Sequence, residues 1–250
     1  MGPVVQFDHV SCLFDGVTAL NGVSFALYPC EIVALVGPNG SGKSTILNIL
    51  SGFVRPQNGV RVTGSVRIKG KSVIGLPPYK ISALGLARSF QIPRVFRQMP
   101  VADNVRVGIE NPKSEGVFAS MLAGNRGKID VSACLAFGGL NQRMGEDAGG
   151  LSTGQVKLLE VLRTVAMARD IYALDEPTAS LHSGLQDVVI DKLRALAEQG
   201  KVILLVEHNI DCVRRVATQV LFLDGGRIVS QGTPAEVLAS EAVRLSSFLG

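Results

Sequence analysis

Ile32-Val33-Ala34-Leu35-Val36 runs straight into Gly37 with no polar position. A strand with one wet face alternates apolar and polar residues, so this run reads as a short strand buried on both faces. The residues that follow, Gly37-Pro38-Asn39-Gly40-Ser41-Gly42-Lys43-Ser44-Thr45, fit the pattern G-x-x-x-x-G-K-[ST], and Ser44 to Leu50 reads as a helix. The glycines permit a tight loop whose backbone N–H groups can wrap a phosphate chain. The positive pole of the helix favours the same charge. Lys43 supplies a point charge for the β- and γ-phosphates, and the Ser44 hydroxyl can ligate Mg²⁺. A glycine-rich turn could match this pattern by accident, but the buried strand before it and the helix after it favour a true phosphate loop.

Further along, Ile171 to Leu174 and Val202 to Val206 are two more apolar runs, and Leu185 to Ala197 has helical apolar spacing between them. Strand–helix–strand alternation implies parallel strands joined by crossover helices, hence an α/β fold. Val5, Phe7 and Val10 mark a half-exposed opening strand, and Val60 to Lys69 reads as hairpin strands. The middle of the chain, Val101 to Gly150, has Gly- and Asn-rich breaks and reads as a mostly helical insert with loops. Thr233-Pro234-Ala235-Glu236 places a cap, a first-turn proline and a third-position glutamate where a helix should start.

Composition narrows the class. Hydrophobic residues are 46% of the 250 and charged residues 18%, enough for a real core. Yet no window approaches the roughly 18 unbroken apolar residues a spanning helix needs. Met1-Gly2-Pro3-Val4 does not open like a signal peptide, so the chain is expected to stay in the cytoplasm. Cys12, Cys30, Cys134 and Cys212 have no metal-site spacing and read as single buried thiols. The net charge of +4 is spread along the chain, which argues against nucleic-acid binding but suits docking near an anionic leaflet.

Leu174-Asp175-Glu176-Pro177 follows one apolar run. An aspartate at a strand end beside a phosphate loop can hold the Mg²⁺ shell, and the adjacent glutamate can take a proton from an attacking water. Between these motifs lies Leu151-Ser152-Thr153-Gly154-Gln155. With the phosphate loop and Leu-Asp-Glu-Pro, this turn resembles the signature motif of the ABC ATPases, and the resemblance covers essentially the whole chain. It implies a P-loop core with a mostly parallel sheet, an N-terminal antiparallel β subdomain and a helical insert. The expected boundaries are 1–98 and 160–250 for the ATP-binding core and about 99–159 for the helical subdomain.

The resemblance also assigns further roles. The Leu151–Gln155 turn would bind the γ-phosphate held by an opposite subunit. Gln91 would sense Mg²⁺ and face the membrane partner, His208 would contact the γ-phosphate and position water, and Phe14 would stack on adenine. Three departures stand out: Thr153 in place of a familiar Gly or Tyr, Val156-Lys157 in place of Gln or Arg pairs, and His182 in place of Asp or Asn.

Gly85 to Gln91 with Arg94 and Phe96, Glu207-His208-Asn209, Gly232 to Val237 and the Phe248-Leu249-Gly250 ending are similar to the ATPase subunits of branched-chain amino acid importers, features that urea and amide importers share. That implies ATP and Mg²⁺ as cofactors and a second ATPase subunit, identical or not, as partner. It further implies permease subunits, a periplasmic binding protein reached through them, and a peripheral place on the cytoplasmic face of the inner membrane. Rival readings are a soluble ABC ATPase acting outside transport, a P-loop small-molecule kinase, and a nucleotide-binding regulator without turnover. The first would carry a long coiled-coil insert or a tandem unit, for which 250 residues leave no room; the second leaves the signature turn unexplained, and Glu176 with His208 argues against the third.

Overall fold

In the computed structural model, which describes residues 2–57, 59–109, 130–240 and 243, the chain opens with two long strands, β1 (Val5–Phe14) and β2 (Val17–Leu27). The 110–129 part of the expected insert and the Phe248-Leu249-Gly250 ending lie outside the described residues. Next come β3 (Ile32–Val36), α1 (Lys43–Leu50), β4 (Val60–Ile68), β5 (Lys71–Ser72), α2 (Pro78–Ala83) and β6 (Leu86–Arg88). Helices α3 (Val101–Ile109), α4 (Val131–Phe137) and α5 (Thr153–Ala166) follow. The chain continues through β7 (Ile171–Asp175), α6 (Ser183–Glu198), β8 (Val202–Val206), α7 (Ile210–Val216), β9 (Gln219–Asp224), β10 (Arg227–Gly232) and α8 (Pro234–Leu238). These elements fall into two units: Met1–Arg88 with Arg169–Glu176 and Ile190–Gly250, and Ser89–Ala168 with Pro177–Val189.

The first unit holds two sheets. One is antiparallel, in the order β2-β1-β4-β5; the other runs β10-β9-β3-β8-β7-β6. Strands β9, β3, β8, β7 and β6 are mutually parallel, and only β10 runs against its neighbour. Every residue of β3, β7 and β8 is buried, as their apolar runs require, and Asp175 at the end of β7 is buried with them. Successive side chains of a strand point to opposite faces. Accordingly Val33 and Leu35 join the main core with α1 and the antiparallel sheet, while Ala34 and Val36 join a second core with Val213 of α7 and Val237 of α8. Phe7 and Phe25 stack across β1 and β2 at 4.5 Å. Thr233 and Glu236 form the expected capping box on α8, with Pro234 in its first turn.

Two sequence expectations need correction. Val60 to Lys69 is not a hairpin: β4 is one continuous strand paired with β1, and the turn comes after it, leading to β5. Gly64 in the middle of β4 sits opposite a register shift between Asp8 and Ser11 of β1. A Cβ there would lie 2.4 Å from the His9 carbonyl oxygen, so this glycine marks a close backbone approach. The four cysteines form no disulfide, but they are not all buried: Cys30 is exposed, because it stands in the turn between β2 and β3.

In the second unit α3 packs along α5, and α4 touches both. The fully buried Asn104 accepts from the Phe96 N–H at 2.8 Å and donates to the Phe96, Met99 and Pro100 carbonyls, fixing the chain ahead of α3.

Back in the first unit, Asp170 ties the sheets together from just before β7. It accepts from Lys69, at the end of the β4 edge, at 2.6 Å and from Lys201, just before β8, at 3.1 Å. The hydrogen bond from Lys69 is the main reason its carboxyl is held below the usual range. A depressed carboxylate contributes stability above its unfolded value of 3.8 and loses it as pH falls through the lower folded value. The pair is half-exposed, so Asp170→Asn is expected to cost about 1 kcal/mol or less at pH 7. Thermal unfolding should show that deficit at pH 7 and pH 5, less of it in high salt, and none once the pH is below the folded value.

Candidate nucleotide-binding site

Strand β3 ends at Gly37, whose φ of +150° and position leave no space for a side chain: a Cβ would lie 2.0 Å from the Leu223 carbonyl oxygen of β9. The loop therefore presses against the neighbouring strand before it turns into α1. Gly42 is the N-cap of α1 and offers no side-chain acceptor, so the first N–H groups of the helix are left to the loop. Within this turn the Lys43 ammonium donates to the Gly37 and Pro38 carbonyls, both at 2.7 Å, and approaches Ser41 Oγ at 3.5 Å. Lys43 is buried, and that burial lowers its pKa; the charges of Glu176 and Asp175 partly offset the effect. Ser44 is exposed and Thr45 half-buried at the start of the helix.

Asp175 ends β7 and is nearly buried. Its carboxylate lies 3.9 Å from the Arg88 guanidinium at the end of the neighbouring β6. Arg88 also donates to Leu47 O at 3.1 Å and to Ser51 Oγ at 2.5 Å, joining the strand ends to the last turn of α1. The next residue, Glu176, has a φ of +47°, a conformation that non-glycine residues adopt at a cost. Its N–H bonds to Val206 O of β8 at 2.9 Å, which holds the turn. Its Oε1 lies 2.9 Å from His208 Nε2.

His208 stands two residues beyond the end of β8 at Val206, and the buried Glu207 between them fixes that exit. The Glu207 carboxylate accepts from the His208 and Asn209 N–H groups at 3.1 and 3.3 Å. Asn209 in turn caps α7 by accepting from the Cys212 N–H at 3.1 Å. Phe14, at the end of β1, is half-buried and rests on the main core. The first unit thus gathers Phe14, Gly37–Thr45, Asp175, Glu176 and His208.

The second unit holds Gln91 and the Leu151–Gln155 turn. Ser152 is the N-cap of α5 and exchanges a reciprocal pair of bonds with Gln155, at 3.3 and 3.1 Å, a complete capping box. Arg143 braces the turn by donating to Gln155 Oε1 and Gly150 O, both at 3.0 Å. Ser152 and Thr153 are exposed, Leu151 is buried, and Gly154 stands against Ser180 O, which a Cβ would meet at 3.1 Å. Gln91 is exposed, and its carbonyl accepts from Lys157 at 3.4 Å. Sequence reasoning gave no role to Arg88 or Glu207, and saw Lys157 only as a departure. What singles them out is the burial of a charge, which no local pattern encodes.

Among the described residues no helix is long and apolar enough to cross a membrane, and no group of three or more His, Cys, Asp or Glu side chains could hold a metal ion.

Residues 20–179, which include the phosphate loop, the signature turn, Asp175 and Glu176, match the family described as ABC transporter. The chain is 32% identical to a probable branched-chain amino acid transport ATP-binding protein LivG of Archaeoglobus fulgidus, covering 96% of this chain and 93% of that one. It is 30% identical to the high-affinity branched-chain amino acid transport ATP-binding protein LivG of Escherichia coli K12, over 99% and 98% of the two chains. A crystal structure of a nucleotide-free ATP-binding cassette from an ABC transporter superposes with a TM-score of 0.81 at 26% identity, covering 98% of each chain. A phosphate loop, an acidic pair and a capped signature turn in one chain, with relatives along nearly its whole length, lead to one assignment: the chain belongs to the ABC transporter family, as one of its ATP-hydrolysing cassettes.

Proposed function

We propose that this chain powers a membrane importer of branched-chain amino acids or similar small polar solutes. The observation that carries its hydrolytic role is the 2.9 Å contact between His208 and Glu176, at the ends of two adjacent parallel strands. Lys43 and the loop N–H groups bind the phosphate chain of ATP, and Phe14 offers a half-buried ring to the adenine. Glu176 takes the proton from the attacking water, and His208 orients that water and contacts the γ-phosphate. The Ser44 hydroxyl and the Asp175 carboxylate are the oxygen donors a hard cation prefers, and they would hold Mg²⁺, with Gln91 as its sensor. Bound there, Mg²⁺ neutralises charge on the β- and γ-phosphates.

The Leu151–Gln155 turn of one subunit acts on the γ-phosphate held by a second cassette subunit, identical or not. The exposure of Ser152 and Thr153 supports that role, because a turn meant for another subunit cannot be buried in its own. The unit built on Ser89–Ala168 is read as the helical subdomain that meets the permease. The naming of near full-length relatives as branched-chain amino acid transport proteins supports the solute class and favours transport over a soluble role. A permease pair, a periplasmic binding protein acting through it, and a peripheral position on the cytoplasmic face of the inner membrane follow from that reading.

Lys43→Ala removes the cation proposed to face the phosphates and the donor to two loop carbonyls. ATP affinity by calorimetry should fall at least about tenfold, with turnover lost. Unchanged affinity in a folded variant would overturn the loop assignment. Glu176→Gln keeps shape and reach but not basicity, so turnover should drop about 100-fold or more while ATP still binds. Near-normal turnover would remove Glu176 from the mechanism. Ser152→Arg should leave ATP binding nearly intact and stop hydrolysis, because a bulky cation blocks closure over the opposite phosphate. For the whole reading, uptake of leucine, urea and an unrelated sugar is compared in a deletion strain. Loss of leucine uptake is expected, and a strain impaired only in a cytosolic process would refute transport.

A further inference from the structure

Lys157, Glu160 and Arg163 stand three residues apart on α5, so their side chains lie along one face of the helix. Lys157 and Glu160 are 2% and 1% exposed, with their charges 3.4 Å apart. Removing two ions from water costs more than their attraction returns unless further hydrogen bonds satisfy them. Here those bonds go to the backbone of one irregular segment after β6. Lys157 Nζ donates to Phe90 O at 2.8 Å and Gln91 O at 3.4 Å. Glu160 Oε1 accepts from the Phe90 N–H at 3.2 Å and the Arg94 N–H at 3.3 Å. Arg163 donates to the Arg94 carbonyl and lies over the Phe96 ring at 5.5 Å. Arg94 lies over the Phe90 ring at 4.1 Å. The segment has no helix or strand between Ser89 and Pro100, and α5 side chains supply partners to the backbone of Phe90, Gln91 and Arg94 in its first half.

We infer that Lys157 and Glu160 are positioning residues that lock the Phe90–Arg94 segment onto the signature helix, so that Gln91 and the Ser152–Gln155 turn move as one piece. The inference rests on the roles proposed above for Gln91 and that turn. The chain passes into this unit between Arg88 and Ser89, and the lock begins at the second residue beyond that crossing. Lys157 is one turn into α5 from the capping box, so a displacement of the Gln91 backbone is carried to the signature turn by rigid helix. A lysine at this departure from the family pattern therefore has a definite task, with Glu160 as its counter-charge.

The test is a double substitution in the full chain, Lys157→Met with Glu160→Met, which removes both charges while keeping volume. Hydrogen–deuterium exchange at the Phe90 to Arg94 amides should rise about tenfold, with exchange over the Gly37–Thr45 loop unchanged. Assembled with its permease, the variant should lose about tenfold in kcat, while KM for ATP changes less than about threefold. Lys157→Arg should restore both quantities, because the guanidinium can reach the same two carbonyls. Unchanged exchange over Phe90–Arg94 in a folded double variant overturns the lock. Raised exchange with unaltered kcat overturns its role in coupling. If the double variant does not fold, Glu160→Gln, a weaker acceptor for the same two amides, should raise their exchange about threefold, and no rise overturns the lock. A wild-type chain that no permease stimulates would count against the transport reading alone, because the exchange comparison still judges the lock.

Discussion

The two carbonyls that meet the Lys43 ammonium at 2.7 Å belong to the first two residues of the phosphate loop, and that contact depends on how β3 ends. A strand buried on both faces cannot let its chain drift out to solvent. It must turn within a few residues, and here the turn leans directly on the Leu223 carbonyl of β9, where only glycine fits. The Gly37 and Pro38 carbonyls then face the lysine, while Gly42 leaves the start of α1 without a side-chain cap. The parallel sheet, its two cores and the position of α1 all serve to hold that one turn.

The same sheet explains why the acidic and basic groups of the site meet. In a parallel sheet the carboxyl ends of neighbouring strands lie side by side, so β6, β7 and β8 deliver Arg88, the Asp175–Glu176 pair and His208 to one edge from three separate stretches of the chain. Asp175 and Glu176 are consecutive but differ in setting. Asp175 completes a buried strand beside an arginine, whereas Glu176 turns away in a strained backbone conformation and meets a histidine. The two carboxylates therefore sit in different electrostatic settings, the difference on which the roles proposed for them rest.

In the second unit buried charge does a different job. Lys157 and Glu160 face the backbone of an irregular segment and stand in for the strand neighbour it lacks. The three departures from the family pattern separate on this basis. Thr153 is exposed at the tip of the signature turn, where its side chain disturbs no packing. His182 is exposed, and its carbonyl accepts from the Leu185 and Gln186 N–H groups at the start of α6. Val156 and Lys157 are buried, so that departure reaches the interior of the unit.

The sequence alone determined the buried strands, the phosphate loop, the acidic pair and the helix caps. Each is written in consecutive residues whose periodicity, glycines or cap chemistry act locally. It also placed Glu176 and His208 at strand ends, because an apolar run that stops at a polar residue announces its own terminus. The sequence could not tell that Gly64 marks a close approach of β4 to β1, since the cause is a register shift in the other strand. Nor could it find Arg88, Glu207 or the Lys157–Glu160 pair as supports, or the 2.9 Å meeting of Glu176 with His208. A charged residue reads as a surface residue until the fold takes away its water. Which charges lose their water, and which backbone groups then satisfy them, is decided only when distant strands and helices are packed together.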